Sequence, residues 1–339
     1  MKTLKIGICG HGGLGHLHSG NLARLEGVEV VAVCDKDPKQ LEPREVATNL
    51  QGGASGFDIR RCRTYTDFKL MLAKEQLDAV VTALPTDLHA KLAIMAMQAG
   101  VHVFSEKPMA LTLRQCDQMI EARDANKRQL MVGQCLRFWP EYEELRGTIA
   151  DQRLGKLLSM SMTRVGGYAG WASENWFNDG KRSGGAILDL HLHDVDWAVY
   201  ALGLPKAVCA SGLAGKTGAV DDVASVWLYD GFQVAMRGSW MFQGFSMSFQ
   251  AGFESGQVDF GIHPDPAYRI KRPGVDACEK PEMFKEGGHF NELVYFLECV
   301  RGERANTACS AESTRDSIRM VELENQAIRK HKWIELKGE

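Results

Sequence analysis

Residues 4–15 read Leu4-Lys5-Ile6-Gly7-Ile8-Cys9-Gly10-His11-Gly12-Gly13-Leu14-Gly15, and the fold follows from how that stretch is parsed. A short apolar run closes on a glycine, and an apolar helical pattern resumes within five residues. Gly10, Gly12 and Gly15 fit G-x-G-x-x-G. In that arrangement the first glycine makes the tight turn out of a strand. The second admits a pyrophosphate close to the backbone, and the third lets helix and strand pack closely. The helix start then presents unpaired N–H groups and a positive dipole end to phosphate. Gly10, Gly12, Gly13, Leu14 and Gly15 are thus the candidate dinucleotide cradle. A second β-branched run, residues 28–34, ends at Asp35, about 20 residues past the last glycine, where a ribose-binding carboxylate belongs. Asp35 would accept from a 2′-hydroxyl and repel a 2′-phosphate, which favours NAD over NADP; Lys36 softens that preference.

Working outward, residues 79–84 and 101–104 read as further buried strands, and residues 14–26, 88–99 and 113–125 as helices. Strands apolar on both faces and separated by helices imply a parallel sheet covered on both sides. The right-handed crossover rule makes it a doubly wound α/β sheet. Past Arg137 the pattern changes. Residues 140–152 and 186–202 read as helices, while residues 157–164, 207–210, 223–229, 232–240, 246–251 and 257–260 read as strands. Consecutive strands without intervening helices predict an α+β unit with a large, mainly antiparallel open sheet. Two C-terminal helices, residues 289–299 and 311–330, can pack back across the molecule. The expected division is a dinucleotide-binding domain over residues 1–136 and a substrate-binding and oligomerisation domain over residues 137–339, with the last helix returning to the first. A junction of this kind is where ligand clefts form.

Composition excludes several classes. Among 339 residues, 40 Lys and Arg face 43 Asp and Glu, a net charge of −3, so neither nucleic acid nor an anionic membrane is an expected partner. Arg60, Arg61 and Arg63 read as a solvated loop. No apolar run approaches the ~18–20 residues of a membrane span, and the first residues lack the layout of a secretion signal. The nine cysteines are dispersed, with no C-x-x-C pair, which fits neither a disulfide framework nor a structural zinc site. The chain therefore reads as cytoplasmic.

The chemistry concentrates in two clusters. Glu106-Lys107-Pro108 follows a strand, at the carboxyl edge where ligands of such sheets bind; a lysine there can donate to a substrate oxygen. Residues 184–196 read Gly-Gly-Ala-Ile-Leu-Asp-Leu-His-Leu-His-Asp-Val-Asp. On one straight helix, Asp189, His193, Asp196 and Tyr200 share a face, which is either a solvated polar stripe or a site where Asp189 orients an imidazole that takes a proton. His191 points elsewhere. H-x-H splays its rings apart, unlike the i, i+4 pairs of helical zinc sites, and no metal is expected. His16 and His18 read as phosphate contacts or packing residues. Residues 168–182 carry Trp171, Asn175, Trp176 and Arg182, aromatics beside polar groups that suit a sugar or anchor a loop. Arg137 either contacts substrate or braces the crossover.

Together these motifs resemble the Gfo/Idh/MocA oxidoreductases, over essentially the whole chain: the glycine turn with His18, then Pro85-Thr86-Asp87-Leu88-His89, Glu106-Lys107-Pro108, and Gly184-Gly185-Ala186-Ile187-Leu188-Asp189 with His193. The resemblance implies an N-terminal Rossmann domain and a C-terminal sheet that forms a homo-oligomer, dimer or tetramer. It implies catalytic roles for Lys107, Asp189 and His193, places Pro85, His89, Glu106 and Lys107 beside the cofactor, and suggests a cis peptide before Pro108. Two positions depart from the family pattern: Leu84 where a small polar residue is usual, and His191 where glycine or another small residue is.

The expected function is NAD-dependent hydride transfer from a secondary hydroxyl of a sugar, inositol or related polyol. One alternative is a glycoside-cleaving enzyme that oxidises its substrate transiently before elimination. The other is a non-catalytic protein sensing dinucleotide and sugar.

Overall fold

The computed structural model describes residues 3–43, 57–170, 173–264, 267–283 and 286–336. Packing divides the chain into two compact units. The first runs to Phe138 and takes in Glu286–Arg315; the second begins at Trp139 and resumes at Asp316.

In chain order the first unit contains β1 (Leu4–Cys9), α1 (Gly13–Ala23), β2 (Val28–Cys34), β3 (Arg63–Tyr65), α2 (Phe68–Lys74), β4 (Ala79–Thr82), α3 (Thr86–Gln98), β5 (His102–Glu106), α4 (Leu113–Asn126) and β6 (Leu130–Gly133). Its six strands run β3-β2-β1-β4-β5-β6, every neighbouring pair parallel. This is the doubly wound sheet expected from the sequence, and its strand order reverses between β1 and β4. Ile6, Ile8, Val80 and Val81 are fully buried, so apolar residues on both faces exclude water and leave the helices as the only solvated layer. The arginine cluster is not one loop. Arg60 pairs with Asp58 at 2.8 Å in a short 3-10 turn, whereas Arg63 lies in β3 and pairs with Glu75 at 2.5 Å.

The second unit contains α5 (Pro140–Ala150), β7 (Leu157–Gly167), α6 (Gly180–Ser183), α7 (Ala186–Asp189), α8 (Leu192–Leu202), β8 (Ala207–Ala214), β9 (Val220–Leu228), β10 (Gln233–Ser239), β11 (Met241–Phe253), β12 (Gly256–Phe260) and β13 (Tyr268–Lys271). The chain ends with α9 (Gly288–Arg301), α10 (Ala311–Lys330) and β14 (Ile334–Glu335). Eight strands order as β13-β12-β11-β7-β10-β9-β8-β14. All neighbours are antiparallel except β7 and β10.

The units are not two successive halves of the chain. Leu293, Phe296 and Leu297 of α9 are buried in one core with Ile6, Ile8 and Phe104; their three-and-four spacing gives α9 an apolar stripe that must be covered. α9 completes the first unit together with the first turn of α10, where Glu312 pairs with Arg123 at 2.6 Å and Arg315 with Asp117 at 2.5 Å; α10 belongs to the second unit from Asp316 onward.

Candidate active site

At the end of β1, Gly10 has φ +88°, and a Cβ there would lie 2.2 Å from the Ala83 carbonyl oxygen. A Cβ on Gly15 would lie 1.9 Å from the oxygen of Gly10. These two positions admit only glycine. Gly12 and Gly13 differ: a Cβ on either meets nothing within 4 Å. Gly12 is the N-cap of α1, no side chain caps that helix, and its first turn, with Leu14, carries no acid. The bare N–H groups therefore form a cradle of the kind that accepts phosphate. Asp35 stands beside it with both oxygens oriented: the His11 amide donates to Oδ2 at 2.7 Å and the Asp37 amide to Oδ1 at 2.9 Å. Each oxygen keeps a lone pair for a ribose hydroxyl. This backbone and carboxylate fit a dinucleotide.

The edge of the sheet is tied together by side chains. Pro85 is the N-cap of α3. From that helix, His89 sets Nδ1 2.7 Å from the Pro108 carbonyl and Nε2 2.8 Å from the Leu84 carbonyl. Burial pushes its pKa down, against the pull of those two carbonyls and of Glu106. The Lys107–Pro108 peptide is cis. Glu106 ends β5; His18 donates from Nε2 to its Oε1 at 2.5 Å, and the Lys107 amide donates to its Oε2 at 3.2 Å. Burial alone would raise Glu106, but the His18 hydrogen bond and the charges of His18, His289 and Lys107 leave its pKa lowered. Lys107 itself is half-buried. Behind this pair α9 supplies Glu292, fully buried and 3.3 Å from His289 Nδ1. Burial first, then the charge of Glu106, push Glu292 well above the usual carboxylate range.

His18, Glu106 and Glu292 offer metal-binding atoms within 4.8 Å of one another. Two ligands on a zinc-class ion would sit about 3.3 Å apart. The 2.5 Å between His18 and Glu106 is instead the length of a short hydrogen bond.

In the second unit the single helix expected over residues 186–202 is two helices, α7 and α8. Leu190 and His191 form the joint. The His191 amide donates to the Ala186 carbonyl, five residues back, at 2.9 Å, and the His193 amide to Leu190, three back, at 3.3 Å. One wide turn followed by one tight turn replaces the regular ladder. Asp189 closes α7, buried, and His193 is the second residue of α8, half-buried. The start of α7 is set by Gly184 and Gly185, both at positive φ, and by Asp221, whose Oδ1 accepts from the Ala186 amide at 3.4 Å. The remainder of the expected polar stripe has other work. Asp196 accepts from Ser317 at 2.7 Å, and Tyr200 lies under the Arg146 guanidinium, 4.5 Å from it.

Residues 173–178 and α6 bind largely to one another. Glu174 and Asn175 take left-handed φ, Asn178 donates to Asn175, Trp176 stacks on Phe177 at 3.8 Å, and Arg182 pairs with Glu174 at 3.3 Å. Trp171 lies outside the described residues. Arg137 is buried within the first unit and donates to the Ala308 carbonyl at 3.0 Å and to Ser313 Oγ at 2.7 Å. Sequence reasoning missed Glu292, His289 and Glu324. Each is spaced as an ordinary polar residue of an amphipathic helix, and no local signal separates it from a solvated one.

The fold is a doubly wound parallel unit joined to a mainly antiparallel α+β unit. Residues 4–134 match a family model described as an oxidoreductase family with an NAD-binding Rossmann fold, and residues 142–258 match the GFO/IDH/MocA C-terminal domain. The chain belongs to the GFO/IDH/MocA family. It is 29 % identical over 236 residues to an inositol 2-dehydrogenase of Rhizobium meliloti, covering 69 % of this chain and 65 % of the relative. It is 28 % identical over 213 residues to a 2,7-anhydro-N-acetylneuraminate hydratase of Mediterraneibacter gnavus, covering 62 % and 53 %. A scyllo-inositol 2-dehydrogenase (NADP(+)) of Bacillus subtilis is 28 % identical over 242 residues, covering 68 % and 73 %. The match thus spans between half and two thirds of the length of the first two relatives. In fold the chain is similar to an aldose-aldose oxidoreductase from Caulobacter crescentus, with TM-score 0.84, 21 % identity and 99 % and 100 % of the two chains covered. It is also similar to a myo-inositol 2-dehydrogenase from Lactobacillus plantarum, with TM-score 0.80, 23 % identity and the same coverage.

Proposed function

We propose that this protein binds NAD and reversibly oxidises a secondary hydroxyl of a sugar, an inositol or a related polyol. The observation that carries the reading is the bare cradle at Gly12 and Gly13 beside the oriented carboxylate of Asp35. Bound NAD supplies the hydride acceptor. His193 takes the hydroxyl proton, Asp189 holds the imidazole tautomer and offsets its charge, and Lys107 donates to the reacting oxygen. General-base help of this kind is worth about 10²–10⁴ in rate. Asp35 favours NAD over NADP, although one relative is named for NADP(+). The exposed Met241, Phe242 and Phe245 of β11 suit a second copy of the chain and support a homo-oligomer. Among the described residues no helix is long and apolar enough to cross a membrane.

A second reading has one observation in its favour: a relative is named as a hydratase, an activity without net redox change. In it the same residues oxidise the substrate only transiently. A panel of sugars, inositols and glycosides followed for NADH and for product separates the two. NADH accumulating with a polyol supports the first reading, and substrate conversion without NADH supports the second. Dinucleotide binding without either leaves a sensor.

A further inference from the structure

His191 occupies the joint between α7 and α8, and every group around it is specific. Its side chain is fully buried. Nε2 donates to Glu324 Oε2 of α10 at 3.0 Å, and Glu324 Oε1 accepts from Trp227 Nε1 of β9 at 2.8 Å. Both carboxylate oxygens are thus engaged, and Glu324 is also fully buried. On the other side lies Gly238 of β10, where a Cβ would sit 2.5 Å from the Cβ of His191. The strand has left out a side chain where the imidazole needs room. The remaining charges facing it are Asp194 of α8 and Arg164 of β7, which pair with each other at 3.0 Å. Burial pulls the imidazole pKa down, but Glu324 and Asp194 together raise it above the ordinary value.

We propose that His191 is a positioning residue: clamped between Glu324 and Gly238, it pins the joint and so fixes Asp189 and His193 relative to each other. This rests on the dehydrogenase reading for the roles of those two residues. His191 does not reach substrate; it acts through the main chain on either side. A misplacement of about 1 Å at a reacting centre costs about 10²-fold in rate, so a loosened joint is expected to lower kcat while leaving the cofactor's KM unchanged.

The test compares His191→Leu, which removes the donor, with His191→Gln, whose amide nitrogen can still reach Glu324. Gly238→Ala pushes on the joint from the strand side without touching any charge. Expected results are a kcat for polyol oxidation about 10²-fold lower in His191→Leu and Gly238→Ala, with the NAD KM retained, and recovery of most of that loss in His191→Gln. A merely structural role would lower the melting temperature of His191→Leu and leave kcat and KM as in wild type, which would overturn the proposal. If His191→Leu does not fold, His191→Gln and Gly238→Ala decide by the same kcat-to-KM split. Wild-type protein that reduces neither cofactor with any polyol removes the dehydrogenase reading instead. Amide exchange at residues 190–193 then judges the pin: faster exchange in Gly238→Ala supports it, and wild-type protection overturns it.

Discussion

Asp35 in the first unit and Glu324 in the second each have both carboxylate oxygens engaged, but by different means. Asp35 is held by main-chain amides two and 24 residues away, at the rim of a sheet, with lone pairs to spare. Glu324 is held by side chains 133 and 97 residues away, fully buried. The first arrangement is local, partly solvated and suited to an incoming hydroxyl. The second is long-range and closed, and its energy goes into holding a main-chain joint. Removing the first carboxylate should change what binds; removing the second should change whether the unit stays folded.

The comparison is tested most severely at the glycine cradle beside Asp35. Gly15→Ala forces a Cβ against main chain that cannot move aside, and the variant is expected to lose NAD binding together with the cooperative melt of the first unit. Gly12→Ala has open space around its Cβ. It should melt like wild type and lose NAD affinity about tenfold or more, because the methyl fills the approach to the phosphates. Calorimetric titration and circular dichroism on the two variants separate a cradle from a packing turn.

Glu324→Leu comes next. It leaves His191 and the Trp227 N–H buried without their acceptor, and breaking a buried pair in this way costs about 3–5 kcal/mol, measurable by urea unfolding. Asp35→Ser should leave stability nearly unchanged and shift the NADP-to-NAD affinity ratio upward by about tenfold, since a like charge facing the 2′-phosphate is gone. Equal stability losses in both variants would erase the distinction between the two carboxylates.

The smallest effect concerns Glu292. Its pKa is raised in the folded state by burial and by Glu106. Between the ordinary carboxylate value and that raised value the folded protein holds a proton the unfolded chain has released. Stability therefore falls as pH rises through the window, by about 1.4 kcal/mol per pH unit for this group. Glu292→Gln, which resembles the protonated side chain, should flatten that slope in melts run across the window.

Much of the first unit was legible because its determinants are close in sequence. Strand, glycine turn, helix and Asp35 lie within residues 4–35, and the apolar runs of β1 and β4 and the last three residues of β2 are buried. The short β3 and β6 were not legible, since three or four residues carry too little periodicity to separate strand from loop. In the second unit the spacing over residues 186–202 shows helix but not its interruption between Asp189 and Leu192. At the interruption His191 meets Glu324 and Gly238, which no local pattern connects to it. The same holds for α9, whose apolar stripe was visible but whose place in the first unit was not. Long-range partners decide these features.

The central proposal is the catalytic role of Lys107, Asp189 and His193 in oxidising an alcohol with NAD. It is tested most directly by measuring NADH formation across a polyol panel with wild-type protein, Lys107→Ala and His193→Ala, alongside NAD affinity by calorimetry. The expected result is turnover in wild type, a loss of about 10²–10⁴ in kcat in each variant, and NAD affinity kept in His193→Ala. Variants that reduce NAD at the wild-type rate would contradict the account.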